Sequence, residues 1–335
     1  MVRFASLPQR IATVTKTHER VALILLDAFG MKFVERHASH PLLKRLEIES
    51  VGAQFPSTTT AHLTTLYTGL PVEQHGLYEW RTYEPLVDDV IRALPFLGSD
   101  DAPIPAEPRE IVPRPSFYEQ LEVPSTVLQP AHIWPSRYGS AAFSGATVTA
   151  FKSLGEGVAR LGTPGFSYLY WDAIDAAGHQ HGPSSVQFDA AAIDALDTIY
   201  AALPKDTLLL ITADHGQVDV NELDELDVIW PELRLRRPPA GSARDCFLHV
   251  DDPERVRDEL AERLGDRATV RLARELFPAP IGPRPEQRIG DVCVLPAPGR
   301  MAWLRAFPSH ERRFRGHHGG LTAAESETWL GVAST

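Results

Sequence analysis

Two uninterrupted apolar runs limit what this chain can fold into more than any other feature. Val21-Ala22-Leu23-Ile24-Leu25-Leu26 and Leu208-Leu209-Leu210-Ile211 contain no polar position. A strand with one face in water alternates polar and apolar side chains. A continuous run therefore belongs to a strand covered on both faces, as in the parallel sheet of an α/β protein. Asp27 follows the first run directly, and Asp214 and His215 follow the second after Thr212-Ala213. Open α/β sheets bind ligands beyond the carboxyl ends of their strands, which is where these side chains would stand. An aspartate there can equally cap a following helix, and the first strand alone leaves the two roles balanced.

A third run, Phe166-Ser167-Tyr168-Leu169-Tyr170, reads as a buried strand leading into Trp171-Asp172-Ala173-Ile174-Asp175-Ala176-Ala177-Gly178-His179-Gln180-His181-Gly182-Pro183. Asp175 and His179 are four apart, so on a helix they share a face and can share a divalent cation; His181 lies close behind. From Ser184 to Leu203, the spacing of Val186, Ile193, Leu196, Tyr200 and Leu203 predicts a helix with that set as its apolar face.

The stretch Phe55-Pro56-Ser57-Thr58-Thr59-Thr60-Ala61-His62 supplies hydroxyls to cap a helix running toward Tyr67, which Gly69 and Pro71 end. Capping needs only one of the three threonines. Another in the first turn would stand among unpaired backbone N–H groups that favour an anion such as phosphate. A free threonine is a poor nucleophile and needs a base or a metal to ionise it. Near the end, Gly316-His317-His318-Gly319-Gly320 places two histidines in a Gly-rich loop. The collected candidates are Asp27, one of Thr58 to Thr60, Asp175, His179, Asp214, His215 and one of His317 and His318. Oxygen and imidazole donors without thiolates suit Zn²⁺, with Mn²⁺ as the alternative, and the set is large enough for a two-metal hydrolase.

At 335 residues the chain exceeds the size at which single cores stop growing, about 250–300 residues, so a large domain with a smaller insertion is expected. Residues 218–300 change texture, with frequent Pro and Arg and a mixed strand and helix pattern, and read as that insertion. The Pro-rich segment from 95 to 140 reads either as a pocket wall or as a packed surface loop. A formal charge of −11 disfavours a nucleic-acid or anionic-membrane surface. Cys246 and Cys293 lie in strand-like runs and read as buried small hydrophobes. The N-terminal stretch lacks the apolar core of a signal peptide, and no run approaches the roughly 20 residues of a membrane span, so a cytoplasmic protein is expected.

Taken in order, these motifs resemble those of the alkaline phosphatase superfamily, specifically its nucleotide pyrophosphatase/phosphodiesterase branch, over roughly residues 20–330. VALILLDAFG is similar to that branch's first metal strand and FPSTTTAHLTTLYTGLPVEQHGL to its nucleophile helix. DAAGHQHGP, ADHG and HHGGLTAAE follow in the family's order. The resemblance implies an α/β fold with a central, mostly parallel sheet flanked by helices. It implies a catalytic domain of residues 20–217 and 301–335, with 218–300 as a small inserted α+β subdomain. It further implies two divalent cations. One is held by Asp27, Asp214 and His215 with the nucleophile Thr59 (Thr58 as runner-up), the other by Asp175, His179 and His318, chosen over His317 because it directly precedes Gly319.

Phosphodiester or phosphoanhydride hydrolysis through a phosphothreonine is the implied reaction, on a small diester or nucleotide-like substrate. Phosphomonoester and phosphonate hydrolysis belong to the same superfamily, and a non-catalytic metal-binding protein would lack the Thr59 hydroxyl. Three carboxylates and an alkoxide against two divalent cations leave a nearly neutral site, which suits a diester monoanion unless an arginine lies close. Arg81, Arg137, Arg244 and Arg315 are the candidates. One departure stands out: the branch often carries an Asn about twenty residues after its nucleophile, and here Tyr78-Glu79-Trp80 fill that region. Thr60, Tyr78 and Trp80 are accordingly expected to contact substrate.

Overall fold

In a computed structural model describing residues 2–335, both apolar runs are neighbouring strands of one eight-stranded sheet. In chain order its strands are β1 (Val2–Arg3), β2 (Arg20–Leu26), β3 (Glu47–Gly52), β4 (Ser125–Pro130), β5 (Thr147–Phe151), β6 (Gly165–Trp171), β7 (Leu208–Thr212) and β8 (Glu327–Ser334). Across the sheet the order is β1-β3-β8-β7-β2-β6-β4-β5. β2 pairs in parallel with both β6 and β7, Val21 standing opposite Phe166 and Leu208. β8 runs antiparallel to β3 and β7. The sheet is thus mostly parallel, as expected.

The continuous run in β2 has a direct cause. Successive strand side chains point to opposite faces. Val21, Leu23 and Leu25 enter one hydrophobic core, together with Tyr67, Phe166 and Tyr168. Ala22, Ile24 and Leu26 enter the other, with Phe33, Phe188 and Trp329. With water on neither face, no position tolerates a polar residue.

Three helices position the site: α1 (Thr59–Thr68), α2 (Ala173–His181) and α3 (Val186–Ala201). α3 starts where the Ser185 side chain accepts the Phe188 amide at 3.1 Å. Its buried stripe is Phe188, Ala192, Ala195, Leu196 and Ile199. This corrects the expected face: Val186 is 78% exposed and Ile193 43%, and Tyr200 is exposed as well. Two alanines, Ala192 and Ala195, small enough to let α3 approach the sheet, carry the helical spacing that the larger side chains only partly follow.

Within residues 218–303 a four-stranded sheet (Ala240–Gly241, Cys246–Leu248, Ala268–Leu272, Val292–Pro296) carries the helix Pro253–Leu264. Cys246 and Cys293 are free and buried in it. A smaller sheet of Val218–Glu225, Gly299–Trp303 and Gly316–His317 pairs Val218 with His317. That pairing returns the two-histidine loop to the rim just beyond β7. The loops after β2 and β7 also meet backbone to backbone: a Cβ on Gly216 would stand 2.1 Å from the Ala324 carbonyl oxygen, and one on Gly30 would stand 2.7 Å from Gly216 Cα. Among the described residues, no helix is long and apolar enough to cross a membrane.

The revised face of α3 predicts unequal effects. Phe188→Ala should cost about 3–5 kcal/mol and Val186→Ala less than about 0.5 kcal/mol, read from urea midpoints. Equal losses would restore the first assignment.

Candidate active site

Asp27 follows β2, Asp214 and His215 follow β7, Asp175 and His179 lie on α2, and Thr59 opens α1. All converge at the carboxyl rim of the sheet. Thr59 Oγ1 lies 3.4 Å from each Asp27 carboxylate oxygen and 3.1 Å from His215 Nε2. That nitrogen is 3.4 Å from Asp27 Oδ1 and 3.4 Å from Asp214 Oδ2. Beside this group, His179 Nε2 stands 3.4 Å from Asp175 Oδ2, and His318 Nε2 stands 3.7 Å from Asp175 Oδ1. The two groups adjoin: the His215 and His318 rings stack with centroids 3.8 Å apart. Asp27, Asp175 and His215 each offer one ligand atom within 4.8 Å of the others.

The three imidazoles are aimed by their far sides. His179 Nδ1 meets the Gly316 carbonyl at 2.9 Å, His215 Nδ1 that of Gly216 at 3.1 Å, and His318 Nδ1 that of Ser57 at 3.1 Å. A carbonyl can only accept, so each Nδ1 carries the ring proton and each Nε2 turns a bare lone pair to the centre. Thr58 and Thr59 divide their work. Thr58 is the N-cap of α1: its Oγ1 accepts the Ala61 amide at 3.4 Å and donates to the Tyr78 carbonyl at 2.8 Å. The Thr59 hydroxyl has no capping bond and faces Asp27 and His215.

Burial dominates the electrostatics. It pushes the Asp27 carboxyl well above the usual range, with repulsion from Asp214 and Asp175 adding to it. Burial also raises Asp175, and it raises Asp214 to about 7. The same desolvation holds His215 and His318 well below the ordinary histidine value. Asp214 Oδ1 accepts the Ala28 and His215 amides at 3.2 and 3.1 Å, while its buried Oδ2 has no donor among the described residues. Carboxylates that repel one another, bare imidazole nitrogens and a hydroxyl, with no lysine or arginine paired to them, form a donor set that a divalent cation completes.

These groups open on a cavity of about 780 Å³. Thr60 and Trp80 line it, as do Pro95, Ile133, Pro135 and Tyr138 from the Pro-rich segment, so that segment is a pocket wall. Tyr78 is a correction. It is fully buried, stacked edge-to-face on Phe247 and Phe277, and its hydroxyl donates to the Arg288 carbonyl at 3.2 Å. An aromatic residue after a turn signals burial as readily as contact with a ligand, and here the second sheet claims it. His181 is exposed at the end of α2, and His317 lies outside both ligand groups but lines the cavity.

Of the candidate arginines, Arg81 forks onto Glu311 at 2.7 and 2.9 Å, and Arg244 pairs with Glu325 at 2.9 Å. Arg137 donates to the Ile104 and Ala106 carbonyls, and Arg315 is exposed. Several functional groups escaped the sequence reading. The Tyr170 hydroxyl donates to Asp27, and the Gln217 side chain donates to Asp175. Gln217 was findable, since it stands just after Asp214-His215-Gly216; Tyr170 was hidden in a run whose only signal was burial. Glu79 lines the cavity and faces the fully buried Asp245; burial raises Glu79 to about 7 and lifts Asp245 well above its usual range.

Residues 21–94 and 99–321 match the family described as type I phosphodiesterase / nucleotide pyrophosphatase. Among solved structures, the chain is similar to murine ectonucleotide pyrophosphatase / phosphodiesterase 5, an inactive Thr-to-Ala variant in complex with AMP. The TM-score is 0.68 at 17% identity, over 94% of this chain and 88% of that one. The human counterpart gives 0.66 at 18% identity, over 93% and 87%. Phosphonoacetate hydrolase from Sinorhizobium meliloti 1021, in complex with phosphonoacetate, gives 0.61 at 16% identity, over 93% and 89%. At these identities the structures speak for the fold, while the family match spans most of the chain. The chain belongs to the type I phosphodiesterase / nucleotide pyrophosphatase family, a family of metal-dependent phosphoric ester hydrolases.

Proposed function

We propose that the chain hydrolyses small phosphodiesters or phosphoanhydrides, with Thr59 as the nucleophile and a phosphothreonine as the intermediate. The observation that carries this is the Thr59 hydroxyl: released from capping, it faces Asp27 and His215 at the start of a helix. Thr59 and Thr60 are the first residues of α1, so their amides have no carbonyl one turn earlier to bond and can receive phosphoryl oxygens. The Thr59 oxygen, once deprotonated, attacks phosphorus in line. The bond to the departing oxygen breaks, that oxygen takes up a proton, and water then cleaves the phosphothreonine to restore the hydroxyl. An inactive murine structural neighbour carrying a Thr-to-Ala change is consistent with a threonine in this role.

Two divalent cations fit the donor groups, Zn²⁺ first by ligand type. One would be held by Asp27, Asp214, His215 and Thr59, the other by Asp175, His179 and His318. When bound, they supply the positive charge that lowers the hydroxyl pKa and stabilises the departing oxygen. Of the arginines considered, Arg81 is neutralised by Glu311 and Arg244 by Glu325, while Arg137 lines the cavity with backbone carbonyls as its partners. A nearly neutral site favours a diester monoanion over a monoester dianion.

Two measurements test this reading. Thr59→Ala should lower kcat on bis(para-nitrophenyl) phosphate by about a thousandfold or more while the protein still folds and binds metal. Full activity would remove Thr59 as nucleophile, and a strong preference for para-nitrophenyl phosphate would overturn the diester assignment. The raised carboxyls also set a pH dependence. The unfolded chain releases the Asp214 proton near the ordinary aspartate value of 3.8, and the folded metal-free protein keeps it up to about 7. Between those values the folded state binds more protons, so its stability falls as pH rises. The buried His215 and His318, held below 6.5, oppose this trend at lower pH, so the melting temperature of metal-free protein should fall from about pH 6.5 to about pH 8, and metal loading should remove that fall. A flat metal-free profile would contradict the clustering of these carboxyls.

A further inference from the structure

The cavity wall beside His318 carries two polar atoms that the proposed reaction does not use. His317 is 4% exposed and Arg81 7%, and both line the cavity. His317 Nδ1 lies 2.9 Å from the His318 amide and 3.0 Å from the His318 carbonyl, so the ring proton can stand on either nitrogen. That Nε2 and the Arg81 Nε are buried and meet no partner among the described residues. The Arg81 N–H is thus a donor without an acceptor and His317 Nε2 a polar nitrogen without a partner, a state that native interiors rarely leave unanswered.

Neither side chain is free to swing toward an acceptor elsewhere. The Arg81 Nη atoms are fixed on Glu311, and the guanidinium carbon lies 4.4 Å from the centroid of the Phe307 ring. The His317 ring stands edge-to-face against His179, with centroids 5.2 Å apart. Arg137 lines the same cavity, but the charge carried by these two groups themselves is balanced. Arg81 is matched by Glu311, and the neighbouring Glu79 carboxyl adds acidic character. An anion gains little there, whereas an uncharged oxygen gains hydrogen bonds.

We propose that His317 Nε2 and Arg81 Nε–H form a subsite for an uncharged hydroxyl on the alcohol portion of the substrate, which accepts from Arg81 and exchanges a hydrogen bond with His317 in either tautomer. His317 is then a specificity-determining residue. The subsite rests on the phosphodiesterase reading, which sends the departing alcohol to the side of His179 and His318. It separates alcohols that carry oxygen from hydrocarbon alcohols of similar size. A site built around buried polar groups rejects a ligand that cannot satisfy them.

Binding of glycerol phosphate and propyl phosphate to the full-length, metal-loaded Thr59→Ala protein tests this by titration calorimetry. Glycerol phosphate should bind about tenfold more tightly. Adding His317→Ala should remove most of that advantage while changing propyl phosphate by less than about twofold. His317→Gln, which keeps an N–H donor, should recover part of it, with metal content and melting temperature unchanged in both variants. Equal binding of the two ligands in the parent, equal losses in the variants, or loss of metal would each overturn the subsite. Binding needs no turnover. A failed diesterase assay would sink the reaction and leave this comparison standing, while lost ligand discrimination would sink the subsite and leave the reaction intact.

Discussion

Three carboxylates held close together away from water are the constraint around which the molecule is arranged. Asp27 is raised by burial and by both Asp214 and Asp175, and Asp214 is raised by burial and by Asp175. Such a cluster opposes folding, so the scaffold under it has to be stiff. The two faces of β2 supply that stiffness, each strand side chain entering one core or the other. The backbone contact of Gly30 with Gly216 then fixes the spacing of the loops that carry Asp27 and Asp214. The histidines are locked from behind by backbone carbonyls, so their lone pairs stay directed into the repulsive centre without needing an ion to turn them.

The neighbouring threonines show how a small local rule can separate structure from chemistry. A helix start needs one side-chain acceptor, and Thr58 provides it in the extended conformation of an N-cap. The next hydroxyl is then left over, at a position where the helix itself cannot use the backbone amides. Exchanging the two roles would turn the reactive oxygen toward the Tyr78 carbonyl, which Thr58 now occupies.

What was legible in the sequence follows the range of each interaction. Continuous apolar runs report burial on both sides, so the strands and the residues just beyond them could be read directly. Asp175 and His179 were visible because one helical turn is a local relation. The face of α3 was misread because alanine carries little hydrophobic weight, although its size is what lets the helix pack. Tyr78 could not be assigned, since its neighbours Phe247 and Phe277 arrive from a distant part of the chain. The pairing of Arg81 with Glu311 joins residues 230 positions apart, and no spacing rule connects them. Tyr170 reaches Asp27 only because β6 adjoins β2.

The place of β8 has a consequence for how the molecule comes into being. Its residues follow those of every other strand of this sheet in the chain, yet it lies inside the sheet, hydrogen-bonded to β3 on one side and β7 on the other. Until residues 327–334 leave the ribosome, β3 and β7 remain separated by a slot about one strand wide, roughly 10 Å between their axes. A nascent chain therefore exposes two bare edges, each able to recruit a foreign strand. Closure of that slot is the last strand pairing of this sheet, and it draws in the Gly-rich histidine loop that lies shortly before it.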